Sequence, residues 1–267
     1  MSPAVSTRIE SLQNPLVKEL RALRERRDRA ESPAFIAEGA ATIGAALDAG
    51  WLPSLIAHDS SDHVRALLDR ASAAGLRDEA IVTREILSKI TGRDNPPPLI
   101  ARFDEPLRPI ETLDPTAAPR WLLLEGVRDP GNLGNALRTA DAVGAGGVIL
   151  VGDCCDPFAI ETVRATTGSI FAVPVYTMTL ESARAFVARW PGASVAAMPR
   201  DGVSYDAVTY RTPALIMIGG ERDGLSPSLA GACSATARIP MVGRTESLNL
   251  ATAAALMLYE SLRATRQ

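Results

Sequence analysis

The sequence predicts an α/β protein, with a parallel-sheet α/β domain in its second half and a smaller α/β domain before it. Three observations carry this expectation. Short apolar runs alternate with amphipathic helical patterns along the whole chain. The runs WLLLEGV, GVILVG, ASVAAM and ALIMIGG are almost continuously apolar, as strands covered on both faces are. The stretch EPLRPIETLDPTAAP (105–119) holds four prolines and little apolar periodicity, which marks a boundary. The expected division is an N-terminal domain over residues 1–105, a linker over 106–118 and a C-terminal domain over 119–267. Two domains suit a chain of 267 residues, at roughly 100–200 residues per domain.

In chain order, Leu16, Leu20 and Leu23 fall at helical spacing and predict a helix around Asn14–Arg29. FIAEG, LPSLIAH, EAIVT and LIARF read as strands, separated by the helical patterns ATIGAALDAG, HVRALLDRASAAG and REILSKITG. Beyond the linker, WLLLEGV, a helix over Leu133–Ala142, GVILVG, the helix PFAIETVRAT, IFAVPVYTM, a helix near Glu181–Arg189, ASVAAM and ALIMIGG follow. IPMVG reads as a last strand, and LATAAALML begins the terminal helix.

Composition narrows the chemistry. The longest apolar runs stop well short of the ~18 residues of a membrane span, and the first residues lack the apolar centre of a secretory signal. A cytoplasmic protein is expected. Three cysteines, Cys154, Cys155 and Cys233, give neither a disulfide framework nor metal-ligand spacing. Lys18 and Lys89 are the only lysines among 28 basic residues, and the only histidines are His58 and His63. The second half therefore offers no histidine for a serine hydrolase or zinc site, and no lysine for a P-loop or Schiff base. Chemistry there falls to arginine, carboxylates, hydroxyls, amides and backbone groups. A net charge of −3 argues against indiscriminate coating of nucleic acid but allows a local patch. Lys18, Arg21, Arg24, Arg26, Arg27 and Arg29 form such a cluster; it reads equally as RNA contact or as a solvated helix face.

Three polar loops leave predicted strand ends, where ligands bind in parallel sheets. In DPGNLGNALRTAD (129–141) the glycines miss the dinucleotide spacing, so a nicotinamide enzyme is disfavoured. Asn132, Asn135 and Arg138 recur at intervals of three, which offers Arg138 to a phosphate. In IGGERDGLS (218–226), Gly219 and Gly220 permit a close ligand approach or an unusual turn. Glu221 between the glycine turns pairs with an arginine, meets a substrate, or caps the next segment. In the third loop, Ser247 or Asn249 is a helix N-cap, a substrate group, or both. The alanine-rich helix after it suits close packing in the core or against a second subunit.

Taken together, DPGNLGNALRTADAVGAGGV, RATTGSIFAVPV, IGGERDGLS and IPMVGRTESLNLATAAALMLYE closely resemble, in this order, the motifs of the SpoU/TrmH family of RNA ribose 2'-O-methyltransferases. RIESLQNPLVKELRAL and FIAEG more loosely resemble the ribosomal-protein-like substrate-binding domain often joined to it. The resemblance implies a sheet ending in a deep trefoil knot (the SPOUT fold), a homodimer, and S-adenosylmethionine held in the knot. By position it assigns cofactor contacts to Gly219, Ile239 and Leu248, and the active site to Asn132, Arg138, Glu221, Ser247 and Asn249, with no metal. Two positions depart from the family pattern: Gly220 stands where asparagine or alanine is common, and Asp223 where glycine is. The implied substrate is RNA, ribosomal (23S) RNA ahead of transfer RNA. A non-catalytic RNA-binding protein on the same fold is the competing reading. On this division, deletion of residues 1–105 is expected to weaken RNA binding and spare cofactor binding.

Overall fold

The computed structural model describes residues 5–104 and 107–266. The first stretch forms β1 (Val5–Ile9), α1 (Pro15–Ala22), α2 (Arg26–Glu31), β2 (Ala34–Glu38), α3 (Ala40–Asp48), β3 (Leu55–His58), α4 (Arg65–Ala74), β4 (Asp78–Val82), α5 (Arg84–Thr91) and β5 (Leu99–Asp104). The second forms β6 (Arg120–Glu125), α6 (Pro130–Ala142), β7 (Val148–Val151), α7 (Ile160–Thr166), β8 (Val175–Met178) and α8 (Leu180–Ala188). It continues with β9 (Ser194–Ala197), β10 (Val203–Ser204), β11 (Ala214–Gly219), α9 (Pro227–Ala230), β12 (Ala235–Arg238) and α10 (Leu250–Ala264).

Two compact units result, and they do not divide the chain at a single point. The described residues of Met1–Pro106 join Asp156–Ala172 in the first; Leu107–Cys155 and Val173–Gln267 make the second. Aromatic packing explains why the middle segment belongs to the first unit. Phe35 lies 5.1 Å from Phe158 and 5.8 Å from Phe171, and Phe103 lies 4.8 Å from Phe171, between ring centroids. Four of the chain's five phenylalanines are in this cluster. Ion pairs add to it: Asp156 binds the buried Arg29, and Arg164 Nε donates to the buried Glu38 at 2.7 Å.

The first unit is built on a five-stranded mixed sheet in the order β1-β4-β3-β5-β2. The edge strand β1 was not predicted, because in VSTRI the residues Ser6, Thr7 and Arg8 are polar and exposed. The expected helix over Asn14–Arg29 is instead two helices broken at Leu23–Glu25, where Arg24 and Glu25 N–H groups turn back to Arg21 and Ala22. The guanidinium of Arg29 fixes that break by donating to Leu23 O. Arg29 thus leaves the basic cluster for the interior, while Lys18, Arg21, Arg24, Arg26 and Arg27 stay exposed.

The second unit is a seven-stranded, wholly parallel sheet in the order β10-β12-β9-β11-β6-β7-β8. Residues 107–118 already belong to it: Ile110 and Leu113 pack on its core, and Trp121 Nε1 donates to Pro115 O at 3.0 Å. Two expected strands are corrected. Only Val175–Met178 of IFAVPVYTM is extended, since Gly168 at φ +108° opens a 3₁₀ turn over Ser169–Phe171. IPMVG is not a strand at all; the strand precedes it as Ala235–Arg238. Pro240 has no N–H to give a ladder, and Ile239 and Met241 line a cavity instead.

α6 and α10 pack against each other, and α10 also lies on β11 and β6. Small residues allow this close approach: Gly134 and Ala136 are buried on α6, Ala251 and Ala254 on α10. Among the described residues no helix is long and apolar enough to cross a membrane.

Candidate active site

In the second sheet β12, β9, β11 and β6 are neighbours and run parallel, so the chain leaves all four at one edge. The three loops singled out in the sequence follow β6, β11 and β12. A fourth, after β9, was missed. Residues Ala197–Asp201 join the others around a cavity of about 720 Å³, within the size range of small-molecule sites. The signal for the fourth loop was present, since ASVAAM ends at Pro199-Arg200-Asp201-Gly202, but no motif distinguished it.

Side-chain amides tie three loops together. Asn249 is the N-cap of α10, its Oδ1 accepting from Ala251 N at 2.9 Å and Thr252 N at 3.3 Å. Its Nδ2 donates to Asn132 Oδ1 at 2.8 Å, and Asn132 Nδ2 donates to Glu221 Oε1 at 2.6 Å. The order of donors is not arbitrary. The helix N-terminus fixes the Asn249 oxygen toward backbone N–H groups, its amide nitrogen must then face Asn132, and the Asn132 nitrogen must face the carboxylate. Asn132 is held independently, its N–H donating to Asp129 Oδ1 at 2.7 Å as Asp129 caps α6. Capping and site building are therefore one role for Asn249, and Ser247 is not the cap.

The remaining predicted residues divide. Gly219, Ile239 and Leu248 line the cavity, as do Glu221, Ser247 and Asn249. Asn132 does not line it but is bonded to two residues that do. Arg138 stands exposed on α6 with Asn135, away from the lining, and Glu221 bonds Asn132 rather than Arg138.

The glycines of the second loop serve the turn. A Cβ on Gly219 would stand 1.9 Å from the Gly224 carbonyl carbon, and one on Gly220 would stand 2.5 Å from Gly126 O. The backbone closes on itself, Gly224 N–H donating to Gly220 O at 3.0 Å, with Gly224 at φ +66°. Asp223 stands exposed within this turn, which closes through the backbone of Gly220 and Gly224. Glu125, which sequence reasoning passed over, fastens its base. Glu125 pairs with Gly219 across the sheet, and its Oε2 accepts from Ser226 N at 2.7 Å. Both feet of the Glu221 loop thus meet one residue. Hydrogen bonds to charged groups contribute about 1.5–3 kcal/mol, so Glu125→Ala is expected to weaken cofactor binding by about 10-fold or more. Glu125→Gln keeps an acceptor and should restore most of it; calorimetric titration of both variants checks this, and equal losses in the two would refute the clamp.

The lining suits S-adenosylmethionine. Ile218, Leu225, Ile239, Met241, Leu248 and Leu250 give apolar walls, and residues 239–248 lie outside helix and ladder, which leaves backbone groups for a heterocycle edge. Four carboxylates, Asp201, Glu221, Asp223 and Glu246, outnumber the arginines Arg200 and Arg222, a balance that favours a sulfonium cation. Arg200 pairs with Glu246 at 3.1 Å, linking the fourth loop to the third.

Comparison with known proteins agrees with this geometry. Residues 119–259 match the model of the SpoU rRNA Methylase family, and residues 14–101 that of the MRM3-like substrate binding domain. The chain belongs to the SpoU rRNA methylase family. An AdoMet-bound rRNA methyltransferase from Sinorhizobium meliloti is similar in structure, with a TM-score of 0.88 and 38% identity over 97% of this chain and 98% of that one. The 23S rRNA (guanosine(2553)-2'-O)-methyltransferase of Bacillus subtilis is 28% identical over 94% of this chain and 97% of its own. The 23S rRNA (uridine(2479)-2'-O)-methyltransferase of Streptomyces viridochromogenes is 29% identical over 90% and 86%.

Proposed function

We propose that this chain is an S-adenosylmethionine-dependent RNA methyltransferase that methylates a ribose 2'-hydroxyl, in 23S ribosomal RNA. The observation that carries the reading is the cavity at the strand ends, bordered by the Asn249–Asn132–Glu221 amide network. Relatives that match nearly end to end act on a guanosine in one case and a uridine in another, so the base is left open while the ribose hydroxyl is common to both. Work on ribosomal RNA supports a cytoplasmic location in this reading.

When bound, the cofactor supplies a methyl group on a sulfonium sulfur, and the protein supplies orientation and electrostatics. Gly219, Ile239 and Leu248 would hold it against the apolar wall. Glu221 fixes the Asn132 amide, and Asn132 fixes Asn249; the exposed Ser247 offers its hydroxyl to the nucleotide from the same loop as Asn249. Arg138, exposed on α6, anchors an RNA phosphate and stabilises negative charge growing on the 2'-oxygen. A guanidinium remains protonated in proteins, so it is a poor base; the hydroxyl proton is lost to solvent.

Two further features belong to this reading. Leu256 and Tyr259 are exposed apolar residues on α10, 37% and 52% accessible, which suits a homodimer; sedimentation at the 28.3 kDa of one chain would exclude it. The knot implied by the resemblance is supported by the path of α10, which returns from outlying β12 past β9 to pack on β11, β6 and α6. A deletion strain tests the function directly. Ribose methylation mapped across all cellular RNA should lose one 23S site and regain it on complementation; an unchanged map would refute the assignment, and a lost transfer RNA site would move it.

A further inference from the structure

Two walls of the cavity at the strand ends are anchored very differently. One is the short arch after β9. Met198 N–H donates to Ala237 O at 2.8 Å where the arch leaves the sheet, and Gly202 O accepts from Arg238 Nη1 at 3.1 Å where it returns. Gly202, at φ +98°, lies so close to β12 that a Cβ there would stand 2.3 Å from Thr236 O. Arg200 therefore sits on a span whose two ends are both tied to β12.

The other wall is residues 239–248. Arg238 ends the β12 ladder opposite Ser204, and Asn249 caps α10. Between these two posts no residue is buried, and among the described residues none shares a backbone hydrogen bond with another element. Thr245 Oγ1 turns inward, donating to Ser247 O at 3.0 Å. Among the described residues the one ion pair that reaches out of the segment joins Glu246 Oε1 to Arg200 Nη2 at 3.1 Å, and both residues line the cavity.

Exposure makes this pair a latch rather than a brace. Its side chains are 75% and 80% accessible, and an ion pair in water contributes little and weakens with salt. Such a contact opens readily. The wall it holds nevertheless carries Ile239 and Leu248, which have to stay against the cofactor through methyl transfer and then let it go. We propose that Arg200 and Glu246 are positioning residues whose ion pair latches the 239–248 wall over bound S-adenosylmethionine and opens to release the spent cofactor, an inference that rests on the cofactor reading of this cavity. Their part is to keep Ile239 and Leu248 in place, with Arg200 as the fixed half on its tied arch and Glu246 as the half that swings.

Two independent charges would behave otherwise. The bound sulfonium is a cation, so removing the Arg200 charge alone should slow its release and removing the Glu246 charge should hasten it. A latch breaks from either side. Full-length Arg200→Ala, Glu246→Gln and the exchanged pair Arg200→Glu with Glu246→Arg, all changes at exposed positions that leave the core intact, are loaded with S-adenosylmethionine, and its dissociation is followed by stopped flow at low and at high salt. The expected result is release about 3- to 5-fold faster in both single variants and within about twofold of wild type in the exchanged pair. Salt should quicken release more in wild type than in either single variant. Opposite changes in the two single variants overturn the latch, as do single variants that release at the wild-type rate, an exchanged pair no nearer wild type than they are, or equal salt dependence throughout. Each of these, with wild type binding the cofactor, leaves the cofactor reading standing; a wild type that binds no S-adenosylmethionine overturns both.

Discussion

Arg138→Ala is expected to lower the single-turnover rate of methyl transfer about 100-fold or more, with cofactor affinity unchanged. The separation follows from position. Arg138 shares the exposed face of α6 with Asn135 and takes no part in the cavity lining or in the amide network that shapes it. Its removal leaves the cavity lining intact and, on the proposed mechanism, deletes the donors assigned to phosphate and developing alkoxide. Arg138→Lys retains charge but not the planar fork, and a loss of roughly 10-fold is the expected intermediate value. The pH profile adds a second readout: if the hydroxyl proton leaves to solvent, the rate rises with pH in wild type and variant alike. A lysine variant at wild-type rates across pH would remove any requirement for guanidinium. A loss of cofactor affinity in Arg138→Ala equal to the loss of rate would contradict the placement of Arg138 outside the cofactor site.

Deletion of residues 1–105 should not yield an intact catalytic domain, contrary to what the sequence division implies. Asp156–Ala172 packs within the first unit, with Phe158 and Phe171 seated against Phe35 and Phe103. The deletion uncovers these rings together with Ile160 and Val163, buried in the full chain. Each large-to-small change at such a ring costs about 3–5 kcal/mol, against total stabilities of about 5–15 kcal/mol, and exposed apolar surface of this kind promotes aggregation. The fragment is expected to aggregate, or to bind a hydrophobic dye and lose cofactor affinity. A monodisperse fragment with wild-type cofactor affinity would show that the middle segment does not need the first unit. Phe171→Ala in the full chain is the gentler version, expected to lower the denaturation midpoint of the first unit while its effect on cofactor binding stays small.

Local patterns made much of this molecule readable. Parallel strands buried on both faces announce themselves as unbroken apolar runs, and LLLE, VILV and LIMI lie where those runs predict them. Edge and irregular segments carry no such mark. β1 has apolar residues only at its ends, and IPMVG is apolar because Ile239 and Met241 face a cavity rather than a sheet. Glu125 and the loop after β9 escaped notice for a related reason. Each acts through a neighbour distant in sequence, Glu125 on Ser226 and Arg200 on Glu246.

The sequence by itself determined the fold class, the family and the identity of the three loops that the amide network joins, because periodicity and motif spacing are properties of contiguous residues. Only the tertiary structure decided how the loops are joined. Asn132, Glu221 and Asn249 are 89 and 117 residues apart along the chain where they bond, and their donor order follows from the cap that Asn249 places on α10. It also decided the boundary of the first unit, since Asp156–Ala172 follows its aromatic partners and not its sequence neighbours. Burial of apolar surface and satisfaction of polar groups depend on what is near in space, and a linear pattern records that only where space and sequence coincide.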